Sequence, residues 1–287
     1  MRAILRHALY PVFFFGGTIA IVYGLATGVS YVPLVPAVLI ASAAAVTALE
    51  RWWPHERAWQ RDHGDLKTDV AHLAANLVVS QVSIGAFSVA HGWLGPALDL
   101  WPTRWPFIVE FLLALAVIDL GLYTVHRASH GLGPLWRLHA IHHSAPRLYW
   151  VNGQRRHVLH ELVEGSPGLA LLLALGAPPT LYAAAIATIT LHLMWQHANV
   201  DYRVGPLRYL FAVAELHRWH HQRKWQDVQG NYGALFSVWD YALGTALRKP
   251  VDAPADVGMD DEPDLPRDFM GQLRWPFRRR RAQAVGG

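Results

Sequence analysis

Five apolar stretches punctuate the chain, at roughly 9–30, 33–49, 70–90, 107–125 and 168–195. Each of the first four approaches the ~20 residues that an α-helix needs to cross the hydrocarbon of a bilayer. The second is short, and Pro33 and Pro36 put its start at an interfacial turn. The third carries His72, Asn76, Gln81 and several serines, so it should face other helices rather than lipid. Arg2 and Arg6 precede the first run as they would in a secretory signal. That run extends from Leu9 to Val29, however, and a second follows at once, which reads as a retained span.

The placement of Lys and Arg orients these spans. Arg2 and Arg6 precede the first span, and Arg51, Arg57, Arg61 and Lys67 lie between the second and third. Arg127, Arg137, Arg147, Arg155 and Arg156 follow the fourth, and only Arg104 falls in a loop on the far side. Cytoplasmic loops carry the excess of positive charge, so both termini are expected in the cytoplasm, in a bacterial inner membrane or its equivalent. The fifth stretch has about 28 residues broken by Ala177-Pro178-Pro179, whereas two crossings need about 40. A single crossing would strand His217 on the opposite side from His126 and His139. The pattern therefore predicts a re-entrant helical hairpin, with a fully spanning pair of short, tilted helices as the other reading. The expected fold is all-α. It is an integral membrane helical bundle of four transmembrane helices, a re-entrant hairpin and a cytoplasmic histidine-rich helical cap. The regions expected are an N-terminal membrane part (1–106), a catalytic part (107–249) and a cytoplasmic C-terminal extension (250–287). In the extension, Pro, Asp and Gly collect in Val251–Pro266 as a solvated segment, and Trp275 to Arg281 form a tail suited to anionic lipid rather than nucleic acid.

Composition agrees with a bilayer: 53% of the 287 residues are hydrophobic and only 16% are charged, against about 25% in soluble domains. There is no cysteine, which excludes disulfides, thiolate metal sites and iron–sulfur clusters. Any metal would be held by imidazole and carboxylate.

Histidine supplies the candidate chemistry. His126 and His130 end the fourth span, and the pattern His-x-x-His-His occurs twice, at His139, His142, His143 and at His217, His220, His221. On a helix, positions i, i+3 and i+4 share a face, so each cluster can aim its rings at one point. Eight imidazoles exceed what one tetrahedral ion needs, so more than one metal ion is expected. His197, at the end of the fifth stretch, is a ninth candidate ligand. His157 is open to three roles: ligand, donor behind a ligand, or loop residue. His192 is expected to be packed or hydrogen-bonded, and His7, His55, His63 and His91 to be surface residues. Asp119 is the one acid within the fourth span, two turns before His126. An intramembrane carboxylate needs a partner. It could accept the N–H of a ligating imidazole or make a structural hydrogen bond to the third span.

In order along the chain, these residues resemble the fatty acid hydroxylase/sterol desaturase superfamily of integral-membrane diiron enzymes. The resemblance covers about 119–245. It is carried by Asp119-x-x-x-Tyr123-x-x-His126-Arg-x-x-His130, Leu135-Trp136-Arg-x-His139-x-x-His142-His143-Ser144 and Asn152-x-x-Arg155-x-His157-x-x-x-Glu161. Gln196-His197-Ala-Asn199, His217-Arg-Trp-His220-His221, Asn231-Tyr-Gly233 and Trp239-Asp240-x-x-x-Gly244-Thr245 complete it. Val158 stands where many relatives have Pro, and Ala214-Glu215-Leu216 replaces a region where Pro is common. Both departures blur the subfamily.

The resemblance implies two iron ions held by histidine. It also implies O2-dependent hydroxylation or desaturation of a lipid such as a sterol or fatty acyl chain, with two electrons from a separate donor of the ferredoxin, rubredoxin or cytochrome b5 type. Iron suits an unactivated C–H bond, which resists acids and bases. Two rivals remain. A zinc-dependent membrane hydrolase would use His160-Glu161, but Glu occupies position 164, where His-Glu-x-x-His needs its second His. A membrane metal-ion transporter would carry its ligands near the midplane of broken spans.

Overall fold

The computed structural model describes residues 2–94, 98, 100–224, 228–252 and 255–278. Among them are ten α-helices and no β-strand. They are α1 (Arg2–Ala26), α2 (Tyr31–Trp52), α3 (Leu66–Leu94), α4 (Phe107–Gly131), α5 (Gly133–His143), α6 (Val158–Leu175), α7 (Pro179–His197), α8 (Ala214–His220), α9 (Val238–Ala242) and α10 (Phe269–Arg274). Five of them, α1 to α4 and α6, are long and apolar enough to cross a membrane, and the chain is a multi-pass membrane protein.

Inside this bundle α4 lies against α5, α6 and α7, with α1 and α2 along α7 and α3 along α6. The α4–α6 contact is close because neither helix has a side chain at the crossing. A Cβ on Gly121 would lie 2.8 Å from the Gly168 nitrogen, and one on Gly168 would lie 2.7 Å from the Ile118 Cα.

The fifth apolar stretch differs from its sequence reading. Its first helix starts at Val158 rather than at 168, so α6 and α7 have 18 and 19 residues. The early turns of α6 carry His160, Glu161 and Glu164, which make its start look polar. The Arg156 guanidinium lies 3.3 Å from Glu161 and 2.9 Å from Glu164, and this pairing lets Glu164 be buried and Glu161 half-buried. The hairpin turns at Gly176, whose φ of 86° favours a residue without Cβ. There, Leu98 N–H donates to Ala174 O, and the Leu100 and Trp101 N–H groups donate to Leu175 O. The tip thus meets the connection between α3 and α4.

The C-terminal extension is not simply solvated. Thr68 Oγ1 donates to Arg267 O, the His72 ring is hydrogen-bonded to Gln272 Oε1 at 2.8 Å, and Arg137 donates to Trp275 O at 2.8 Å. Trp275 packs with Trp136 and Ala140 in a small apolar cluster. Residues 255–278 therefore run as a strap across α3 and α5. The arginines beyond Arg278, expected to lie on lipid, are outside the described residues.

Asp119 fixes the other side of the cap. Its carboxylate accepts the N–H groups of Leu235 (2.7 Å) and Phe236 (2.9 Å) and the Trp239 indole N–H (2.8 Å). It holds a loop to α4 and takes no imidazole N–H. Replacing Asp119 with Ala leaves three donors, one buried and two partly buried, without an acceptor. Thermal unfolding of the D119A protein in detergent should show a loss of about 3 kcal/mol or more. A change within experimental error would show that this anchor is dispensable.

Candidate metal centre

Two helix ends and two short helices converge at one end of the bundle. α4 brings His126 and His130, α5 brings His139, His142 and His143, α7 ends on His197, and α8 with its following residue brings His217, His220 and His221. All nine are buried and fall into two groups. One holds His126, His130, His139, His143 and His220, the other His142, His197, His217 and His221. The ligand atoms of each group lie within 4.8 Å of one another.

The duplicated motif explains this division. In α5 the i, i+4 pair His139 and His143 faces the first group, while His142 points to the second. In α8 the i, i+4 pair His217 and His221 faces the second group, while His220 points to the first. Each short helix therefore serves both groups. His143 and His221 stack where the groups meet, with ring centroids 4.5 Å apart.

The polarity of the rings is set from outside. His126 Nδ1 lies 2.7 Å from Tyr232 O, and His220 Nδ1 lies 2.8 Å from Gly230 O. A carbonyl only accepts, so each Nδ1 carries a proton and, in a neutral ring, each Nε2 presents a lone pair. Those two Nε2 atoms face each other at 2.9 Å. His197 is oriented in the same way by Asn152 Oδ1 at 3.3 Å from its Nδ1. Its Nε2 lies 2.9 Å from His217 Nε2, which lies 3.0 Å from His221 Nε2, which in turn lies 3.1 Å from His142 Nε2. Lone pairs at such distances repel unless a cation lies between them. Metal–imidazole bonds of about 2.1 Å at right angles place the two nitrogens about 3 Å apart, so the donor set fits metal ions.

Burial keeps these rings in the ligating form. Desolvation first, and the neighbouring imidazoles second, hold His139, His142, His143, His217 and His221 well below the usual histidine range. Desolvation brings His220 down to about 4.

The orienting carbonyls sit in a loop that is itself braced. Asp240 accepts the N–H groups of Tyr232 (2.8 Å) and Gly233 (2.9 Å) and the Thr245 hydroxyl (2.7 Å). Asn231 adopts a left-handed φ of 55°, which Asn tolerates, and its amide donates to Leu216 O at 3.0 Å. Sequence reasoning misses these contacts. Their signal lies in Asn231-Tyr-Gly233 and Trp239-Asp240, residues that carry no ligand of their own.

His157 is not brought to either group. Its Nδ1 accepts the Leu159 N–H at 3.1 Å, and its Nε2 donates to Leu273 O at 3.1 Å. It caps α6 and holds the C-terminal strap. His160, which the sequence offers only as part of an incomplete hydrolase motif, lies against His139 with ring centroids 4.8 Å apart. The Ser129 hydroxyl gives its hydrogen to Val125 O, so it accepts the His160 Nε2–H at 2.9 Å. His192, as expected, is hydrogen-bonded: the Tyr10 hydroxyl meets its Nδ1 at 2.9 Å, and its Nε2–H donates to Ala212 O at 3.1 Å.

Fold and site together define a class: a multi-pass helical membrane protein with two adjoining groups of buried imidazoles, each suited to a metal ion. The chain belongs to the fatty acid hydroxylase family, whose model matches residues 111–245, and it is an oxidoreductase. It is 34% identical to the ornithine lipid hydroxylase OlsE of Rhizobium tropici over 87% of this chain and 77% of that protein. It is 28% identical to the alkylglycerol monooxygenase of Danio rerio over 63% of this chain and 43% of that protein. It is also 28% identical to methylsterol monooxygenase 1 of Rattus norvegicus, over 50% and 49% of the two chains. No solved structure matches.

Depressed histidines make the metal-free cap acid-sensitive. The unfolded chain takes up protons near pH 6.5, whereas His220 folded does so only at about 4. Stability is therefore complete above about pH 6.5 and declines as pH falls toward 4. Thermal melts of metal-stripped protein should show a falling midpoint across that window, and a flat profile would contradict the buried, neutral rings.

Proposed function

We propose that this protein is a membrane-bound diiron oxygenase that hydroxylates, or desaturates, a membrane lipid with O2 and two electrons from a separate donor protein. The observation that carries this reading is the pair His126 and His220. Their backbone-fixed protons leave two nitrogen lone pairs face to face at 2.9 Å. The five-histidine group would hold one iron ion and the four-histidine group the other. Bound iron would supply what no side chain here can, the reduction of O2 and the oxidation of an unactivated C–H bond. For hydroxylation the balance is one lipid C–H, one O2, two electrons and two protons, giving one alcohol and one water.

The chain's own residues prepare the place. Imidazole adds no charge, so the two groups can be packed at the inner end of the bundle without counter-anions. Trp136 lies over the first group, its ring centroid 5.4 Å from that of His130, and Trp275 of the strap backs it. Both limit the access of water from the cap side. The orientation that keeps the site and termini cytoplasmic is supported by the Lys and Arg placement. Contact between the α6–α7 tip and the α3–α4 connection supports a hairpin that reaches through the hydrocarbon over a shallow re-entry. Either path returns His197 and His217 to the side of His126. The substrate is read as a lipid because the relatives are named for an ornithine lipid, alkylglycerols and a methylsterol.

Anaerobic iron loading of the purified protein should give two irons per chain without haem absorbance, and reduced protein should consume O2 with formation of an oxidised lipid. His142→Ala and His220→Ala should each lose about one iron and at least ~100-fold in activity. His157→Ala should keep both irons. Binding of a single iron, or two irons without O2 consumption, would overturn the reading.

A further inference from the structure

Two segments of the histidine-bearing cap descend beside the spans instead of lying over them. Along α4, the Asp119 carboxylate that accepts the Leu235, Phe236 and Trp239 N–H groups sits roughly 18 Å short of the helix end at Gly131. Along α1, Phe14 meets Phe211 with ring centroids 5.5 Å apart, roughly 12 Å past Arg6. Along α7, His192 Nε2 and Gln196 Nε2 both donate to Ala212 O, at 3.1 and 2.6 Å. Residues 207–212 and 234–239 thus lie level with span residues. Their backbone groups pair with each other: Ala212 N–H donates to Leu235 O at 2.8 Å, and Ser237 N–H donates to Leu210 O at 3.0 Å. Irregular backbone at membrane depth needs such pairing.

The side of these segments turned away from the bundle is apolar and open. Tyr209, Leu210, Val238, Tyr241 and Leu243 are 38–55% exposed. The Tyr209 and Tyr241 rings meet there, with centroids 5.5 Å apart. The Arg208 guanidinium lies 5.4 Å over the Tyr209 ring, and Arg208 and Arg248 both act electrostatically on the Tyr241 hydroxyl. Neighbouring arginines are already engaged, Arg6 with Asp201 and Arg203 with Asp252. Among the described residues, Arg208 and Arg248 have no carboxylate partner. Exposed apolar and tyrosine side chains beside unpaired arginines are the composition of an element that lies in a membrane surface.

We propose that residues 207–212 and 234–243 form a wedge immersed in the leaflet that faces the histidine end of the bundle, and that Arg208 and Arg248 there bind the phosphate of an anionic phospholipid. A guanidinium matches phosphate oxygens two at a time, and an arginine rooted among apolar side chains extends its charge to the level of the head groups. An acidic protein would satisfy the arginines, but it would have to enter the bilayer to cover Leu210 and Val238, which lie level with the spans. The wedge bears on the histidine groups through α9. Asp240, within that helix, accepts the Tyr232 and Gly233 N–H groups, and Tyr232 O fixes the His126 ring. Neither the surface nor its occupant depends on the oxygenase reading.

The chain has no cysteine, so a single cysteine introduced into the full-length protein takes one nitroxide label. Leu210→Cys and, independently, Leu243→Cys report on the wedge in nanodiscs of phosphatidylcholine and phosphatidylglycerol. Ile40→Cys, at a position 69% exposed on α2, is the hydrocarbon reference, and Asp261→Cys, exposed on the strap, is the aqueous one. Oxygen should relax the labels at 210 and 243 more strongly than a water-soluble nickel chelate does, as at 40, with the order reversed at 261. The anion site is read with spin-labelled phosphatidylglycerol and phosphatidylcholine. The protein should immobilise the anionic lipid in preference to the neutral one. That preference should fall about fivefold in R248Q and further in R208Q/R248Q. An aqueous response at both 210 and 243 would overturn the wedge. Equal immobilisation of the two lipids, or an unchanged preference in both arginine variants, would overturn the phosphate site. Labels shielded from both reagents and broadened by one another would place a second copy of the chain on this face, and lipid would be the wrong occupant.

Discussion

A neutral imidazole has one N–H and one lone pair, and whichever nitrogen is given an acceptor decides where the lone pair points. In this protein that choice is made by backbone. Tyr232 O and Gly230 O take the Nδ1 protons of His126 and His220, and the Nε2 lone pairs are then forced together. Everything around the loop serves to keep those two carbonyls in place. Asp240 gathers the N–H groups of Tyr232 and Gly233, Asn231 spans from Leu216 to Leu247, and Asp119 ties residues 235–239 to α4. A carboxylate in a membrane-spanning helix is costly unless satisfied. Here three N–H donors offset that cost, and in return the loop is registered against the helix that carries His126.

Helical periodicity does the rest. A single His-x-x-His-His helix sends two rings one way and one ring the other. Two such helices, α5 and α8, exchange their odd ring, so neither group can form without both. This interleaving couples the two groups more tightly than two separate ligand sets would be. It also requires α4 and α7 to hold a fixed spacing, since His126, His130 and His197 come from their ends. The close α4–α6 approach at Gly121 and Gly168 and the aromatic packing of Tyr10 and Phe14 around His192 give the bundle that rigidity.

The all-helical class, the apolar spans and the nine converging histidines are legible in the sequence, because periodicity and ligand spacing are local properties. What is not legible depends on pairing across distance. The start of α6 is hidden because Glu161 and Glu164 read as polar until Arg156 is seen beside them. The strap reads as solvated because its anchors are isolated contacts, Gln272 with His72 and Trp275 with Trp136, that leave no periodic trace. Asp119 does sit near the histidines, but its acceptor capacity is spent on a backbone segment more than a hundred residues away. His157 resembles a ligand only by its neighbours in the sequence; one ring nitrogen caps its own helix and the other holds the strap.

Lipid oxidation, the function proposed for this chain, sets two opposed needs. The substrate is insoluble in water, whereas electrons and protons arrive from the aqueous side. A site in the middle of the bilayer would meet the first need and fail the second. The histidine groups lie at one end of the bundle, and Gly153, beside the His197 ring, also lines an apolar cavity between α2, α3 and α7. Trp136, Trp275 and the strap cover the opposite side. A side chain at position 153 would both narrow that cavity and push the His197 ring. The absence of a Cβ there is thus a requirement shared by the apolar cavity and the histidine groups, and it couples the two mechanically.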